Sequence, residues 1–574
     1  MYLYPQTPSI GLQMSVGLAA WLLLAPVAEA QRTYTPIPLD HPTPQADARF
    51  AEALAGVGDV NGDGVTDLLV GAPFQILAGN LNQGRAFVFS GADRSLLLTL
   101  DHPAPQGLAL FASAVAGAGD VNRDGRADLL VGAPGQRVGG RANQGQAYVL
   151  SGTDGRLLLT LDNPIPQPDA AFGAAVAGAG DVNGDGAPDL LVGAPEQDEG
   201  SGSNQGQVFV FSGTDGRLLL TLVSTDRRSA VRFGSAVAAA GDVNGDGAPD
   251  LLVGNMFGSG EVEVFSGADG SLLPTLDPPD TAGRAVAGIG DVNGDGAPDL
   301  LVGAPSADVG GEFDQGRAFV FSGSDASLLR ALDLPIPETG AELGSSVAGA
   351  GDVNGDGVPD ILAGAPGRDV AGGELNQGQA FVFSGADASV LLTLDDPNPD
   401  SLAGFGEVVA GIGDVDRDGA PDFLVGAPGH DVGDDENVQQ GRAFVFVSAA
   451  VPLVPFSPQV PLPCTGARCR VPVTCNLAPA LGTPCTNRID LFVRAPRRLA
   501  EDAAARQRRI RFAFINVTNV PPGQTENVRL RLTPRGRRIF RTSTANRLRG
   551  VLEIRNAPGT VIDTTRVRIR LRRR

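Results

Sequence analysis

Short apolar segments separated by polar turns rich in Gly and Pro follow one another along most of the chain. Residues 172–222 show the pattern clearly, with apolar segments at 175–180, 189–195, 207–212 and 217–222. Because the segments are short, rich in branched residues and stopped by Gly and Pro, they predict four strands. The first is built from Ala, Val and Gly, the third adds Phe, and the fourth is rich in Leu. This gradient is expected of a sheet whose inner strand crowds a central axis.

The same unit recurs seven times. Successive copies lie 61 or 62 residues apart, except for one spacing of 49 residues. A nine-residue polar stretch marks each copy and begins at Asp59, Asp120, Asp181, Asp242, Asp291, Asp352 and Asp414. A period this regular indicates a closed or stacked array, and seven units of four strands lie within the range of β-propellers. The sequence therefore predicts an all-β protein in which residues 31–448 form a seven-bladed propeller of four-stranded blades.

The two ends of the repeat region predict how the ring closes. The seventh unit reaches its third segment at 442–447, and no Leu-rich fourth segment follows. The missing strand is found near the N-terminus, at 33–39. The residues after it, 40–45, read D-H-P-T-P-Q and parallel D-H-P-A-P-Q at 101–106, directly after the fourth segment of the first unit. We expect the N-terminal strand to complete the last blade, which removes an exposed sheet edge.

The nine-residue stretch is a candidate cation site. The first copy reads D-V-N-G-D-G-V-T-D, with carboxylate or amide side chains at positions 1, 3, 5 and 9 and Gly at position 6. Oxygen ligands on alternate residues of a sharply turned loop converge on one hard cation, and calcium is the metal that this arrangement favours. A helix-loop-helix calcium site requires Glu at position 12, where this chain has Val or Ala within an apolar run. The competing interpretation is a set of plain turns that bind no metal.

The predicted side-chain ligands of the seven loops are Asp59, Asn61, Asp63 and Asp67; Asp120, Asn122, Asp124 and Asp128; Asp181, Asn183, Asp185 and Asp189; Asp242, Asn244, Asp246 and Asp250; Asp291, Asn293, Asp295 and Asp299; Asp352, Asn354, Asp356 and Asp360; and Asp414, Asp416, Asp418 and Asp422.

Two further motifs carry a resemblance to a known family. Phe-Gly recurs at 172–173, 233–234 and 405–406, and Gly-Ala-Pro ends the second segment of six units, as at 193–195. Together with the loops, they resemble FG-GAP repeats, which build the seven-bladed propeller of integrin α subunits and occur in bacterial secreted proteins. The resemblance implies that the carbonyl at position 7 completes each calcium site, and that loops on one propeller face recognise a ligand. The position 7 residues are Val65, Arg126, Ala187, Ala248, Ala297, Val358 and Ala420.

The chain departs from this pattern in some units. Asp416 replaces the usual Asn at position 3 of the last loop. The fourth unit has Gly-Asn-Met at 254–256 and a shortened connection, and the fifth begins at 282–283 without Phe. All seven loops retain the ligand pattern, so we expect about seven structural calcium ions.

Targeting and charge bear on location. Residues 1–30 are expected to be a cleaved signal peptide, because a short apolar run precedes an A-x-A site, although a basic first segment is missing. The mature protein should then be secreted or displayed at the cell surface, with no transmembrane segment. Residues 1–450 hold 59 of the 65 acidic residues, which makes nucleic acid a poor partner. Residues 451–574 hold 25 of the 44 basic residues. Three interpretations stay open: this basic part docks on an anionic cell-wall polymer, it docks on the acidic propeller, or it is an ordinary solvated surface.

The C-terminal part is predicted to be a separate module. Residues 449–463 are rich in Pro and indicate a linker, and residues 464–574 alternate apolar residues with Arg, which favours a small β-sandwich-like domain. Four cysteines, Cys464, Cys469, Cys475 and Cys485, predict two disulfides in a secreted chain, with zinc as the rival interpretation.

Function is predicted from the balance of motifs. Two of the three histidines lie in matching D-H-P-x-P-Q turns, no G-x-S-x-G motif is present, and the metal loops account for much of the Asp content. The leading hypothesis is a secreted or cell-surface calcium-binding module for adhesion to a protein or glycan ligand. The alternative is an extracellular polysaccharide-active hydrolase or lyase on a propeller scaffold, which needs paired acids outside the loops.

Overall fold

The computed structural model describes residues 33–448 apart from 201, 227, 258–259, 261, 281, 371–374, 399 and 433–438, and it describes the backbone of seven strands between Leu462 and Arg572. The predicted signal peptide, most of the predicted linker and Cys475 lie outside the described residues. In the described part of the chain, no helix has the length and apolar character needed to cross a membrane.

Strands β1 to β27 form seven antiparallel sheets, which are the blades of a propeller and confirm the predicted fold. Blade 1 comprises β2 (Ala53–Gly58), β3 (Asp67–Ala72), β4 (Arg85–Phe89) and β5 (Leu96–Asp101). Blade 2 comprises β6 (Ala114–Gly119), β7 (Asp128–Ala133), β8 (Gln146–Leu150) and β9 (Leu157–Asp162). Blade 3 comprises β10 (Ala175–Gly180), β11 (Asp189–Ala194), β12 (Gln207–Phe211) and β13 (Leu218–Leu222).

The remaining blades follow in chain order. Blade 4 comprises β14 (Phe233–Gly241), β15 (Asp250–Asn255) and β16 (Glu263–Phe265). Blade 5 comprises β17 (Ala285–Gly290), β18 (Asp299–Ala304), β19 (Arg317–Phe321) and β20 (Leu328–Leu332). Blade 6 comprises β21 (Val347–Gly351), β22 (Asp360–Ala365), β23 (Gln379–Phe383) and β24 (Val390–Asp395). Blade 7 comprises β25 (Val408–Gly413), β26 (Asp422–Ala427), β27 (Arg442–Ser448) and β1 (Tyr34–Asp40).

Blade 7 closes the ring as predicted. Strand β1 pairs with β27 along its whole length, from Tyr34 opposite Ser448 to Asp40 opposite Arg442. The first strands of the blades contact one another in the order β2, β6, β10, β14, β17, β21 and β25, and β25 contacts β2. The N-terminal strand therefore covers what would be an exposed edge of the last blade.

Blade 4 has three full strands where the sequence predicts four. The segment after β16 pairs with the third segment at two isolated bridges, between Val262 and Leu276 and between Phe265 and Leu272, and the amide of Leu273 donates to the carbonyl of Val264. Pro274 interrupts this segment at a place where blades 1, 2, 3 and 6 have Leu. Because proline has no backbone N–H to donate, it interrupts the ladder and reduces the outer strand to these bridges.

The hydrophobic core lies between neighbouring blades. Between blades 1 and 2, for example, Val57 and Leu69 pack in one cluster with Phe111 and Tyr148. The Phe residues of the Phe-Gly motif are fully buried in these cores. A Cβ at Gly132 would lie 2.0 Å from the carbonyl oxygen of Gly173 in the next blade, so only glycine permits this approach. The two motifs therefore form the joint between adjacent blades.

The antiparallel strands place the connections at two opposite faces of the propeller. The connections between first and second strands and between third and fourth strands share one face, which we call the lower face. The connections between second and third strands and those between blades share the other, which we call the upper face. The predicted metal loops lie on the lower face.

The C-terminal strands pair in a closed order. They are β28 (Leu462–Thr465), β29 (Arg468–Thr474), β30 (Cys485–Arg494), β31 (Arg509–Val520), β32 (Thr525–Leu532), β33 (Arg547–Arg555) and β34 (Val561–Arg572). Parallel pairing of β28 with β34 joins the first strand to the last, which gives a barrel in place of the predicted sandwich. The register also sets the backbone of Cys464 opposite that of Cys469 in the hairpin of β28 and β29. The disulfides themselves stay a prediction.

Candidate metal centres

Seven loops of the predicted kind join the first and second strands of the blades. They are numbered loops 1–7 and comprise residues 59–67, 120–128, 181–189, 242–250, 291–299, 352–360 and 414–422. Position 9 of each loop is also the first residue of the second strand, as Asp67 is of β3. Each blade therefore presents one loop at the lower face.

The backbone of each loop turns sharply at two positions. In loop 3, Gly184 at position 4 and Gly186 at position 6 have φ values of 74° and 85°, in the left-handed region. Position 6 is Gly in every loop, whereas position 4 is Arg in loop 2 (Arg123, φ 60°) and loop 7 (Arg417, φ 62°). These turns direct the carboxylates of the loop towards its own amides.

Side chains at positions 1, 3 and 5 are held by backbone amides of the same loop. In loop 3, the Asp181 carboxylate accepts from the amide of Asp185 at 3.0 Å and from that of Gly186 at 2.8 Å. The Asn183 side-chain oxygen also accepts from the amide of Asp185, at 2.9 Å. Asp185 in turn accepts from the amide of Ala187, and this bond lowers the pKa of the Asp185 carboxyl. The ligand set is therefore preorganised by the loop itself.

Position 9 has a second role that the sequence interpretation missed. The Asp189 carboxylate is fully buried and accepts from the amides of Val182 at 3.0 Å and Asn183 at 3.2 Å. Its other oxygen accepts from the amide of Gly213 at 3.1 Å, in the turn between the third and fourth strands. The corresponding amides in the other blades belong to Gly91, Gly152, Gly267, Gly323, Gly385 and Ser448. Position 9 therefore ties the metal loop to the turn after the third strand in blades 1 to 6, and to Ser448 at the end of the third strand in blade 7.

Burial sets the ionisation of the position 9 carboxylates. It raises the pKa of Asp189 above its ordinary value, and it raises the pKa of Asp128 and Asp360 to about 6 and that of Asp422 to about 7. The charged form is therefore costly at these positions, and a bound cation would favour it.

Loop 7 brings three carboxylates closest together. Ligand oxygens of Asp414, Asp416 and Asp422 all lie within 4.8 Å of one another. Burial, followed by the neighbouring Asp418 carboxylate, raises the pKa of Asp416. Asp416 stands where the other six loops have Asn, so loop 7 has one more carboxylate than they do.

In the other loops, the Asn side chain at position 3 bridges ligands of the same loop. Asn183 donates its amide to Asp189 at 3.0 Å, and Asn244 donates to Asp246 at 2.9 Å. The ligand role of the position 7 carbonyls stays a prediction. Because the candidate ligand atoms are carboxylate and amide oxygens held by a turned backbone, the residues present fit calcium.

The histidines serve as turn residues at the upper face. The Nδ1 atoms of His41 and His102 accept from the amides of Thr43 and Ala104, at 3.0 and 2.9 Å. Burial lowers the pKa of both rings to about 4. The third, His430, is also buried, and its Nδ1 lies 3.1 Å from the Asp396 carboxylate.

The upper face contains a cavity of about 270 Å³ at blades 5 to 7. Its lining includes Arg284, Glu342, Asn376 and Glu407. Arg284 is exposed, whereas Glu407 is half-buried and lies 3.3 Å from Arg49. The wall of the cavity is therefore polar and carries charges of both signs.

Large apolar side chains are also exposed around the upper face. They are Ile76, Leu81, Leu108, Ile165, Phe257, Phe313, Ile336, Leu375 and Leu402. Some meet across neighbouring connections, since the amide of Leu108 donates to the carbonyl of Leu81 and that of Leu402 donates to the carbonyl of Leu375. Apolar residues are thus interspersed with the charged groups of this face.

Comparison with known proteins agrees with this architecture. The FG-GAP repeat model matches residues 50–89, 111–150, 172–211 and 343–383, and an FG-GAP-like repeat model matches residues 242–302.

Among curated proteins, the phosphatidylinositol-glycan-specific phospholipase D of Bos taurus is 39% identical over 155 residues, which is 25% of this chain and 18% of that protein. Human integrin alpha-IIb is 39% identical over 176 residues, or 28% of this chain and 15% of the integrin. Integrin alpha-5 of Xenopus laevis is 31% identical over 233 residues, or 38% and 21%. The chain thus covers about a fifth or less of these relatives. The chain therefore carries FG-GAP repeats, and they build a seven-bladed β-propeller that is similar to integrin alpha subunits.

Proposed function

We propose that this protein is an extracellular calcium-binding propeller that binds a protein partner on its upper face. The observation that carries the proposal is the contrast between the faces. The lower face repeats one preorganised acidic loop seven times, while the upper face combines exposed apolar side chains with a charged cavity. The lower face serves stability and the upper face serves recognition.

Calcium is proposed as a structural ion at loops 1–7. Each loop concentrates three or four carboxylates that repel one another without a cation, so binding of the ion stabilises the folded propeller. Extracellular calcium is abundant enough to fill sites with dissociation constants of about 0.1–1 mM, which are typical of extracellular modules. Relatives that carry such propellers include integrins, which supports an extracellular location.

The composition of the upper face favours a protein over a glycan. Phe313, Ile336 and Leu375 are 67%, 65% and 64% exposed, and apolar side chains that together form an exposed patch mark interaction sites for proteins. Arg284 and Glu342 in the cavity offer opposite charges that can pair with groups on a partner. Apolar anchors among polar groups are typical of protein interfaces.

The test is a binding screen of the full chain against surface proteins and a glycan array, with calcium and with chelator. Phe313→Ser combined with Leu375→Ser is the upper-face variant. Leu157→Ser is its matched control, since Leu157 is 45% exposed on the outer strand of blade 2. We expect a protein hit that needs calcium and weakens at least tenfold in the upper-face variant alone. Retention of only glycans, or equal binding by all variants, would contradict the proposal.

The Arg-rich residues 451–574 are proposed to hold the protein on anionic cell-wall polymer. Such contacts are electrostatic, so retention of the full chain on purified envelopes should fall as salt rises from about 0.1 to 1 M. Retention that does not depend on salt would exclude this anchor.

A further inference from the structure

Loop 1 differs from the other metal loops because arginines from both neighbouring blades contact it. Arg126, at position 7 of loop 2, places Nη1 3.8 Å from the Asp59 carboxylate at position 1 of loop 1. From the other side, Arg417 of loop 7 donates through Nη2 to the backbone carbonyl of Asp63. Loop 1 therefore lies between two guanidinium groups that belong to other loops.

The Arg126 side chain also covers the surface of loop 1. A Cβ built on Gly62, at position 4, would lie 1.4 Å from Nη1 of Arg126, so the guanidinium rests directly on the loop backbone. Arg126 and Asp59 are 35% and 31% exposed, which leaves their interaction partly screened by water. The positive charge of Arg126 offsets part of the negative charge of the Asp59 carboxylate, which would otherwise attract the cation in full.

Loop 3 shows a different arginine contact. Arg123 of loop 2 donates to the backbone carbonyl of Asp185 at 2.7 Å, and its Nη2 lies 3.5 Å from the carboxylate of the same residue. That residue occupies position 5, whereas Arg126 faces position 1. Position 1 accepts the amides of positions 5 and 6 and is central to the loop, as Asp59 is for Asp63 and Gly64. The contact at loop 1 thus acts on the ligand that organises the site.

We propose that the Arg126 guanidinium makes loop 1 the weakest of the seven calcium sites, so that it fills last as calcium rises. The inference rests on the proposed function, because it requires the loops to bind calcium. A single positive charge a few ångströms from a dication at a hydrated surface weakens its binding by about tenfold. The same guanidinium reduces repulsion in loop 1 before the ion arrives, so blades 1 and 2 depend less on calcium at this junction than the others do.

The variant that tests the inference is Arg126→Ala. Four other loops already have Ala at position 7, so the loop 2 backbone accepts this residue, and the carbonyl at position 7 is kept. Arg123→Gly is the matched control, because it removes the other guanidinium of loop 2 and introduces the residue that five loops have at position 4. Calcium binding to the full chain is followed by calorimetry and by native mass spectrometry, with magnesium as the control ion.

We expect Arg126→Ala to tighten the last calcium to bind by about tenfold and to lower the melting temperature in chelator. Arg123→Gly should leave the affinity of the last event unchanged. Asp59→Asn should abolish this last calcium-binding step. In the double variant, Arg126→Ala should then have no further effect on calcium affinity. An unchanged or weaker last event in Arg126→Ala, or an equal gain in the Asp59→Asn background, would overturn the inference. If wild type bound no calcium at any loop, the proposed structural calcium would fail and this inference with it.

Discussion

The two faces of the propeller come from the same seven repeats, yet only one of them is uniform. At the lower face, the position 9 carboxylate is fully buried in every blade and accepts a backbone amide from the end of the third strand or the turn after it. At the upper face, the residue after the Phe-Gly position changes from Glu52 to Ser113, Ala174, Ser235, Arg284, Ser345 and Glu407 around the ring. The position 9 residues of the lower face are constrained by the hydrogen bonds that they make. Residues of the upper face can vary without disturbing the blades.

Blade 4 shows how far the upper side of a blade can be rebuilt. Register places Glu263 opposite Val253, as Phe209 lies opposite Val192 in blade 3, so a buried carboxylate takes the place of an aromatic ring. One oxygen of Glu263 accepts from the Thr225 amide at 2.8 Å and from the Ser224 hydroxyl at 3.0 Å. These partners lie on the connection from blade 3. A buried, hydrogen-bonded carboxylate thus replaces apolar packing in blade 4, while loop 4 at the lower face keeps the same form as the other loops.

The largest effect should come from removing a position 9 carboxylate at the lower face. Asp189→Ala leaves the amides of Val182, Asn183 and Gly213 without their acceptor, and we expect a loss of about 3–5 kcal/mol in the free energy of unfolding. The loss should persist in chelator, because the tether does not need the ion. Denaturant unfolding with and without calcium measures it.

Asp181→Ala is the matched control for this prediction. Asp181 is partly exposed and bonds only within its own loop, so removing it should abolish one calcium site and cost about 1–2 kcal/mol in chelator. Equal losses for the two variants in chelator would show that position 9 acts as a ligand and nothing more.

The next effect concerns the hydrogen bonds that the buried Glu263 carboxylate accepts in blade 4. Glu263→Ala leaves the donors of Ser224 and Thr225 unpaired and opens a cavity, which should cost about 2–4 kcal/mol. Glu263→Gln keeps an acceptor oxygen and nearly the same volume, so its loss should stay near about 1 kcal/mol. Thermal unfolding of both variants in saturating calcium checks the difference. A greater loss in Gln than in Ala would contradict the role of Glu263 as an acceptor.

A third, smaller effect depends on pH and lies at the upper face. Burial lowers the pKa of His102 to about 4 in the folded protein, whereas the unfolded ring titrates near its ordinary value of 6.5. The unfolded state therefore binds the proton more readily, and stability falls as pH drops from about 6.5 to 4. His102→Asn should remove up to about 2–3 kcal/mol of this loss at pH 4.

The connection from blade 2 to blade 3 supplies the reason to choose Asn for this test. Asn163 takes the equivalent place there and accepts the amide of Ile165 at 2.9 Å, as His102 accepts that of Ala104. The variant should therefore keep the turn and match wild type within about 1 kcal/mol at pH 7. The measurement is the difference in unfolding free energy between wild type and variant across this pH range. Parallel profiles would show that His102 does not titrate on unfolding.

The sequence predicted most of the lower face because its pattern is local. The loop spacing, the strand that follows it and the completion of blade 7 by residues 34–40 are visible in the order of residues alone. The tether of Asp189 to Gly213 could not be derived in this way, because the two residues are brought together only by folding. A recurring Ser-Gly after the third strand, as at 212–213, was the signal that could have pointed to it.

Contacts between blades could not be predicted from the sequence either. Arg126 was assigned to loop 2 by its position, yet its side chain lies on loop 1. Glu263 stands in an otherwise ordinary third strand, and only the register shows that it replaces a buried ring. At the C-terminus, alternation predicted strands but not their closed pairing, because the pairing of β28 with β34 joins distant parts of the chain.

We propose that the lower face is a ring of structural calcium sites. The most direct test follows the melting temperature of the wild-type chain as free calcium rises from about 0.01 to 10 mM, together with the number of ions bound. We expect a rise centred at about 0.1–1 mM, about seven ions at saturation and poor replacement by magnesium, which prefers a tighter octahedral site. A melting temperature that chelation leaves unchanged, or fewer than about four bound ions at saturation, would contradict it.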